Sequence, residues 1–559
     1  MGKINLNLFK NNWVLVLLFI LILVPAVWAL FVPGYYGASD DIHIAWLFEF
    51  HKTLMMGKFP PRFVPDLSYT FGYPLFNFVF PLPFYLAEGF HLIGLSLVDS
   101  IKAVFFISVP LSGYFMYLLI REFTNKELSF TGAILYIYTP YRAVDLYIRG
   151  AIGEIVSFMF LPLILLSIIK LSKDKNLRWV GIGALSLASL VLSHNITAYM
   201  FFPFVALLVL LQFISSRTKL QFFYQIFSMI FLALLTSIYF WLPAIVDSNL
   251  MKYDTVFNFV DHFPTLRQLV TPFWGYGASV AGPYDGMSFF LGITNLLVAL
   301  VGVILLFVKW KKYSLNQKII MAWAFVSLLI SIFLMNYRSS ILWSNLPLLP
   351  YFQFPWRFLI MTTFLIPLLL VALEIFGKSR LVSILLVVLT LLTVGTNFRP
   401  QDFLGRKDDY FLNRYIPAPV VSEEYKKTQE EYLRLPKYTH IRPDKNYPRV
   451  EGEGIKKVTE LNGLDAIIEV ESTRSGTLSY NKYFFPGWTV EIDGQKIALI
   501  PGFPFGQITI PVSVGSHKIE IAFKETGFKK TLDAISLLAF LVSLMLAKLW
   551  ISSKKHGRI

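Results

Sequence analysis

Two adjacent carboxylates follow the first apolar run of the chain, in the segment Gly37-Ala-Ser-Asp-Asp-Ile-His43. Ser39 is a suitable helix N-cap, which would place Asp40 and Asp41 in the first turn of that helix. Acids in this position complement the helix dipole, and their pKa should be lowered. Alternatively, these carboxylates deprotonate an acceptor hydroxyl or hold a divalent cation such as Mg²⁺ or Mn²⁺, with His43 close by to tune them. The spacing leaves both interpretations open.

A second group of ionisable residues lies between residues 140 and 154, just before a later apolar run. Arg142 and Arg149 are seven residues apart, so a helix would place both on one face with Asp145 between them. One interpretation is a ladder of salt bridges that holds two helices together. The other is that the guanidinium groups bind a phosphate, because their planar fork matches its oxygens. The candidates in this segment are Arg142, Asp145, Tyr147, Arg149 and Glu154.

Two further candidates stand alone in the sequence. His194 lies between two apolar runs, where a single histidine is more often a structural hydrogen-bonding residue than a ligand-binding one. Arg357 follows Gln353-Phe-Pro-Trp356 at the head of an apolar run, which is typical of an interfacial anchor. The same position suits contact with a lipid phosphate. We therefore count His194 and Arg357 among the candidate residues that bind a phosphate or substrate.

The composition indicates the elements that must carry these residues. Of 559 residues, 55% are hydrophobic and only 15% are charged, and long apolar runs recur along most of the chain. This composition predicts a polytopic α-helical membrane protein. The net charge of +15 comes from basic residues in short loops between the runs, which favours membrane topology over nucleic-acid binding. The chain contains no cysteine for disulfides or thiolate chemistry, and its eight histidines lack the spacing of a zinc site.

Twelve apolar runs are predicted to cross the membrane. They lie at roughly 13–32, 102–120, 127–140, 154–170, 179–193, 197–214, 221–243, 288–308, 319–335, 358–376, 381–397 and 531–551. The stretch Tyr73–Leu95 is not counted, because its prolines interrupt a regular helix. Every second connector then carries at least two basic residues, so these connectors and both termini are predicted to be cytoplasmic. We expect the protein in the cytoplasmic membrane, with its other loops outside the cell.

This topology divides the chain into three regions. Residues 1–397 form the transmembrane domain, in which 33–101 is a first external loop with juxtamembrane helices. Residues 398–530 form an external soluble domain, mostly β-structure from about residue 463. Its alternating strands and the turn Asp493-Gly494 predict an antiparallel β-sandwich with a tight hairpin, which we interpret as a structural or acceptor-docking module. Residues 531–559 form the final transmembrane helix and a basic cytoplasmic tail.

Several motifs resemble one family of integral membrane proteins. They are Gly57-Lys-Phe-Pro-Pro-Arg-Phe63, Phe71-Gly-Tyr-Pro-Leu-Phe-Asn77, Thr139-Pro-Tyr-Arg142 on to Glu154, and Leu192–Thr197. The pattern is similar to the membrane proteins called 6-pyruvoyl-tetrahydropterin synthase-related, although the histidine cluster of a soluble pterin synthase is not visible. Tyr483-Phe-Phe-Pro-Gly-Trp488 and Val514-Gly-Ser-His517 look like the external domain of YfhO-like membrane proteins. Both families resemble the GT-C class of membrane glycosyltransferases.

The resemblance implies a GT-C-like fold and transfer of a sugar from a polyprenyl-phosphate carrier outside the cytoplasmic membrane. Enzymes of this class carry paired acids in the first external loop, a feature that Asp40 and Asp41 match. The expected partners are the membrane, a lipid-linked sugar donor and a glycan, lipid or protein acceptor. Arg142, Arg149 and Arg357 are assigned to the donor phosphate from charge and position alone. The alternatives are a lipid or polysaccharide transporter and a non-catalytic membrane assembly protein, although charge-free spans favour an interfacial enzyme over a transporter.

Overall fold

The computed structural model describes residues 12–173, 176–252, 258–428 and 433–548. The basic residues of the predicted cytoplasmic tail, Lys554, Lys555 and Arg558, lie outside the described residues. Described helices up to residue 397 form the membrane part of the protein. They are α1 (Asn12–Val27), α2 (His43–Met55), α3 (Leu75–Phe78), α4 (Leu82–Leu92), α5 (Leu97–Arg121), α6 (Lys126–Ile137), α7 (Pro140–Val144), α8 (Ile152–Lys173), α9 (Arg178–Ser193), α10 (Asn195–Ser215), α11 (Lys219–Val246), α12 (Leu266–Val270), α13 (Ile293–Val308), α14 (Leu315–Met335), α15 (Ser340–Asn345), α16 (Leu359–Leu365) and α17 (Ser379–Val394).

Within the described ranges, nine helical stretches are long and apolar enough to cross a membrane. They are Trp13–Phe31, Leu97–Arg121, Ile152–Lys173, Asn195–Ser215, Lys219–Leu250, Leu315–Met335, Pro355–Phe376, Ser379–Asn397 and Gly527–Lys548. The other three predicted spans are helical but shorter than the ~20 residues that a perpendicular crossing needs. These are α6, α9 and α13, with 12, 16 and 16 residues. The chain is therefore a multi-pass membrane protein, and the number twelve remains a prediction.

The basic connectors lie together at one end of the helical region. Lys170 and Lys173, at the end of α8, pair with Glu122 at distances of 2.6 and 3.2 Å. The connector before α14 reaches the same place, because Gln317 donates a hydrogen bond to the carbonyl oxygen of Phe123 at 2.8 Å. We call this the basic end. Cations at one end of the helices are the one-sided distribution that the positive-inside rule describes, and the cytoplasmic location of this end stays a prediction.

The predicted first external loop is a folded unit at the opposite end. Tyr73–Leu95 forms only the short helices α3 and α4, with 4 and 11 residues, as its prolines predicted. The ring of Phe50 on α2 packs edge-to-face on Phe76, with centroids 4.9 Å apart, and lies 6.2 Å from that of Phe84 on α4. Such aromatic pairs add to the apolar burial that fixes one helix on another. The loop is therefore stiff enough to position residues at its start.

The C-terminal region contains α18 (Asp408–Tyr415), α19 (Glu423–Lys426), nine described strands and the last helix, α20 (Gly527–Lys548). The strands are β1 (Val450–Glu451), β2 (Ile455–Asn462), β3 (Asp465–Ser472), β4 (Gly476–Tyr483), β5 (Trp488–Ile492), β6 (Gln495–Lys496), β7 (Ile500–Pro501), β8 (Gln507–Val512) and β9 (Gly515–Phe523). They form two antiparallel sheets, ordered β1-β4-β8-β7 and β2-β3-β9-β5-β6. The β-structure begins at Val450 and not at 463, because β2 is an exposed, charged edge strand without apolar alternation.

The two sheets share one apolar core, which confirms the predicted sandwich. Alternate residues of β3 and β9, such as Ile468 and Ile521, are buried. The rings of Tyr480 on β4 and Trp488 on β5 join the sheets, with centroids 5.7 Å apart. The predicted hairpin is also present, since Asp493 and Gly494 both have positive φ, 49° and 82°, between β5 and β6. These angles suit the two-residue turn that matches strand twist.

Arg62, in the predicted first external loop, ties that loop to two membrane helices. Its guanidinium donates to the carbonyl oxygen of Tyr239 on α11 at 2.6 Å. It also donates to Glu525 at 3.2 Å and to Asp533 on α20 at 2.5 Å. The Arg62 residue is only 2% exposed. Because one buried cation holds three elements, it couples the loop, α11 and the last helix.

We expect Arg62→Ala to lower the free energy of unfolding by about 2 kcal/mol, because it removes charge-assisted hydrogen bonds and leaves partly buried carboxylates unpaired. Thermal unfolding of the purified protein in detergent measures the effect. The matched control is Arg474→Ala, which breaks an exposed pair with Glu453 and should change stability little. Equal melting temperatures for the two variants would show that the Arg62 contacts are not stabilising.

Sidedness is tested with single cysteines, because the native chain contains none. Lys311 lies exposed at the basic end, and Glu469 lies exposed on β3. We expect Lys311→Cys to be protected from a membrane-impermeant thiol reagent in intact cells and Glu469→Cys to be labelled. Labelling in the reverse pattern would place the β-domain inside the cell.

Candidate active site

A cavity of about 650 Å³ lies at the end of the helical region opposite the basic end. Five separate segments line it, and they supply acids, cations and aromatic rings. The polar and aromatic lining residues include Ser39, Asp40, Tyr147, Arg149, His262, Tyr276, Ser279, Phe354, Trp356, Arg357, Gln401 and Asp402. Three charged residues singled out in the sequence, Asp40, Arg149 and Arg357, therefore meet at one cavity. We call it the Asp40 cavity.

Asp40 is held at the cavity by backbone pairing, and the predicted Ser39 N-cap is wrong. Helix α2 begins at His43, and its N-cap residue Ile42 makes no side-chain cap. The Ser39 amide instead donates to the carbonyl oxygen of Ile148 at 3.0 Å, and the Asp40 amide donates to that of Arg149 at 2.7 Å. These bonds fix the acid loop against the segment that carries Arg149. Neither carboxylate of the pair lies within the first turn of α2.

Asp41 is turned away from the cavity towards the C-terminal region. Its carboxylate accepts a hydrogen bond from the Tyr415 hydroxyl at 2.5 Å, and its other oxygen lies 3.9 Å from Arg406. Burial raises the pKa of Asp41, whereas the Tyr415 hydrogen bond and the nearby cations Arg414 and Arg406 lower it. The net shift is upward, which contradicts the lowered pKa that we expected for a helix terminus. Asp41 therefore joins the acid loop to α18.

The acid pair does not present two carboxylates to one cation. Only Asp40 lines the cavity, and the Asp41 oxygens face Tyr415 and Arg406. In the described ranges, no group of three or more His, Asp and Glu side chains is arranged to hold a metal ion.

His43 is buried beside the acid loop and does not line the cavity. Its ring packs edge-to-face on Trp46 and Phe84, with centroids 5.3 and 6.0 Å away. Burial lowers the pKa of His43, so the imidazole is neutral at pH 7. A neutral ring in this position supports the packing of α2 under the acid loop.

Arg149 is the centre of a buried salt-bridge network. One of its nitrogens lies 2.5 Å from Asp145 and 2.8 Å from Glu154, and the other donates to Glu154 at 3.0 Å. The Tyr141 hydroxyl is 3.3 Å away, and the Trp356 ring lies under the guanidinium at 5.0 Å. Asp145 and Glu154 are almost completely buried. This arrangement matches the salt-bridge interpretation, one of the two that the sequence left open. Most N–H donors of Arg149 are bonded within the network.

Arg357 is a buried cation with unused hydrogen-bond donors. It lies on the cavity wall and is 7% exposed. Its nearest carboxylate is Glu154, 3.6 Å away, and neither its Nε nor its Nη1 has a hydrogen-bond partner among the described residues. A buried guanidinium with unpaired donors is costly unless a ligand supplies acceptors. Arg357 is therefore the strongest candidate for an anion contact in the cavity.

The remaining candidates do not point into the cavity with free polar groups. Arg142 donates to the Ser112 hydroxyl at 2.9 Å and packs over the Phe158 ring at 4.2 Å, away from the cavity. Tyr147 lines the cavity, but its hydroxyl donates to the carbonyl oxygen of Ala26 at 2.8 Å. His194 caps α10, because its Nδ1 accepts from the Thr197 amide at 3.3 Å. The contacts of His194 therefore favour a structural role for this residue.

Several residues that line the Asp40 cavity are not among the candidates predicted from the sequence. Asp402 adds a second carboxylate from the start of the predicted external domain. His262 contacts the Ser279 hydroxyl at 2.9 Å, and Ser279 in turn donates to the buried Asp285 at 2.9 Å. These residues lie more than a hundred positions from Asp40 and carry no motif. Only the fold brings them to the acid loop.

The fold and the cavity define a multi-pass membrane protein with an antiparallel β-domain before its last helix. Residues 76–401, more than half of the chain, match the membrane-protein family described as 6-pyruvoyl-tetrahydropterin synthase related domain. The chain belongs to this family, which confirms the resemblance seen in the motifs.

Two individual proteins show weaker similarity. An uncharacterized protein of Lactococcus lactis subsp. cremoris (strain MG1363) is 25% identical over 244 residues, which cover 42% of this chain and 39% of that protein. A cryo-EM structure of the arabinofuranosyltransferase AftD from Mycobacteria aligns with a TM-score of 0.41 and 13% identity, over 70% of this chain and 27% of that one. The chain thus spans less than two-fifths of the length of either protein.

Proposed function

We propose that this protein is a glycosyltransferase of the GT-C type. It transfers a sugar from a polyprenyl-phosphate donor to a glycan, lipid or protein acceptor at the outer face of the cytoplasmic membrane. The observation that carries the proposal is the Asp40 cavity, where a carboxylate and a buried arginine with unused donors meet at the end of the spans. A carboxylate can accept the proton of an acceptor hydroxyl, and a guanidinium can bind the phosphate of the donor. The cavity therefore offers a residue for the acceptor and a residue for the donor.

In the proposed reaction, the acceptor oxygen attacks C1 of the donor sugar from the side opposite the phosphate. A carboxylate oxygen of Asp40 takes the acceptor proton as the new C–O bond forms. The bond between C1 and the phosphate oxygen breaks, and its electron pair stays on the departing polyprenyl phosphate. Arg357 donates hydrogen bonds to the phosphate, where negative charge develops, and C1 is inverted.

Arg149 has a supporting role in this scheme. Its donors already bind Asp145 and Glu154, so it holds the cavity wall next to Arg357. The Phe354 and Trp356 rings, stacked 5.1 Å apart, precede Arg357 and form an apolar wall of the cavity. Aromatic walls of this kind suit the apolar faces of sugars and the first isoprene units of a carrier.

The donor half of the proposal is tested by binding polyprenyl phosphate to purified protein in detergent. We expect the ligand to raise the melting temperature of the wild type, and Arg357→Gln to weaken its affinity about tenfold or more, because charge-assisted hydrogen bonds are lost. Arg142→Gln is the matched control, since Arg142 is as buried but lies away from the cavity. Equal ligand responses in wild type and Arg357→Gln would remove Arg357 from the donor site.

A transporter is the competing function. A transporter would carry the lipid across a bilayer of reconstituted vesicles without cleaving the sugar–phosphate bond. Movement of intact donor across the bilayer, at a rate unchanged by Asp40→Asn, would favour it.

A further inference from the structure

A second cavity, of about 710 Å³, lies at the basic end. It is formed where α9 and α11 begin. Helix α8 starts beside the Asp40 cavity and ends at Lys173, and α10 likewise runs from that side to Ser215. Helices α9 and α11 therefore start at the opposite end. This cavity faces the other leaflet of the membrane from the Asp40 cavity.

Among the residues that the structure describes, the charged lining of this second cavity is positive. Arg217 and Lys219 are its charged residues, and the uncharged lining includes Thr218 and Gln221. Neither cation forms an ion pair with a residue that the structure describes. Two cations, with no carboxylate among the described lining residues, favour an anionic ligand.

The start of α11 adds backbone donors to the same place. This helix has 28 residues, and its N-cap residue Thr218 makes no side-chain cap. The first amides of a helix have no partner within it, and the helix dipole makes this end positive. Phosphate groups bind at such helix ends for both reasons.

A buried side chain in the cavity also lacks a partner. Gln225, in the second turn of α11, is 5% exposed and lines the cavity. Its Nε2, which can only donate, has no hydrogen-bond partner among the described residues. Buried donors are normally satisfied, so this amide indicates that an acceptor enters the cavity. A phosphate oxygen held by Arg217 and Lys219 would supply one.

The rim of the cavity is apolar and exposed. Leu177, Leu220 and Tyr224 line the cavity and are 50%, 68% and 59% exposed, respectively. Free inorganic phosphate makes no apolar contacts with such a rim. The acyl chains of a phospholipid can pack against it. Arg217 and Lys219 are exposed beside these apolar side chains, and Gln225 is buried beneath them. Basic and apolar groups together at a membrane face match an anionic phospholipid.

From these contacts we propose that the cavity formed by Arg217, Lys219, Gln225 and the start of α11 binds the headgroup phosphate of an anionic phospholipid. The site is independent of the proposed transfer reaction, because it lies at the other membrane face. A lipid bound there would join α9 to α11 and stabilise the bundle without touching the Asp40 cavity.

The test uses the full-length protein in mixed micelles of dodecyl maltoside with phosphatidylglycerol or phosphatidylcholine. We expect phosphatidylglycerol, and not phosphatidylcholine, to raise the melting temperature and to remain bound in native mass spectrometry. The double variant Arg217→Gln/Lys219→Gln should weaken phosphatidylglycerol affinity about tenfold or more, because each cation near an anionic surface contributes to binding. Gln225→Leu should weaken it while leaving the charge unchanged.

The matched control is Lys311→Gln/Lys312→Gln, which removes two exposed cations from the same end but outside the cavity. This control should retain the phosphatidylglycerol response. A loss as large as that of Arg217→Gln/Lys219→Gln would show attraction by the whole basic end and overturn the site. An equal response to millimolar inorganic phosphate, with no added effect of phosphatidylglycerol, would overturn the lipid assignment.

Discussion

Replacing Asp40 with asparagine is expected to lower kcat for sugar transfer by about 10²-fold or more, because a general base is lost. The asparagine keeps the shape of the side chain, and the loop stays in place because its anchors are backbone hydrogen bonds from Ser39 and Asp40. The melting temperature should therefore be unchanged. Single-turnover transfer with saturating donor measures the chemical step apart from binding.

Asp41→Asn is the matched control for this variant, since it changes the neighbouring acid, which faces Tyr415 and Arg406 and not the cavity. It should alter kcat only slightly. Asp402→Asn examines the other carboxylate of the cavity. Full activity in Asp40→Asn together with loss of activity in Asp402→Asn would move the general base to Asp402.

The second large effect is expected on stability. Arg149→Ala leaves the buried carboxylates of Asp145 and Glu154 without their main cation, and unpaired buried charge costs roughly 3–5 kcal/mol. We therefore expect a marked fall in the melting temperature without ligand. Arg149→Lys should restore part of this loss, because an ammonium keeps the charge but lacks the bidentate fork.

Arg357→Ala is the control for Arg149→Ala, because both remove an arginine near Glu154. Only Arg149 makes short contacts with both acids, whereas Arg357 lies 3.6 Å from Glu154 and leaves two nitrogens unbonded. Arg357→Ala should therefore keep its stability and lose donor affinity. If Arg149→Ala were as stable as Arg357→Ala and bound polyprenyl phosphate poorly, Arg149 would be the phosphate residue.

Much of the architecture could be predicted from the sequence, because hydrophobic runs and turn residues report local structure directly. The apolar runs predict the helices, and Asp493-Gly494 predicts the hairpin. Helices and hairpins can be predicted in this way because both depend on residues that are neighbours in the sequence. The length of α6 could not be predicted in the same way. It is an apolar helix buried inside the protein, and apolar composition does not distinguish such a helix from one that faces lipid.

The candidate site could be predicted only in part. Asp40, Arg149 and Arg357 are predictable candidates because charge next to an apolar run is costly without a partner, and these three meet at one cavity. Which acid of the pair faces that cavity depends on Tyr415, 374 residues from Asp41, so spacing could not decide it. His262 and Asp402 carry no local signal, because their positions follow from the packing of distant loops.

The central claim is that the Asp40 cavity transfers a sugar from a lipid carrier. The most direct measurement incubates the purified protein with a panel of radiolabelled polyprenyl-phosphate sugars and a membrane extract as the source of acceptors. We predict that at least one donor loses its label to an acceptor and leaves polyprenyl phosphate behind, and that Asp40→Asn stops this transfer. Transfer by Asp40→Asn at the wild-type rate, or no transfer by the wild type from any donor of the panel, would contradict the account.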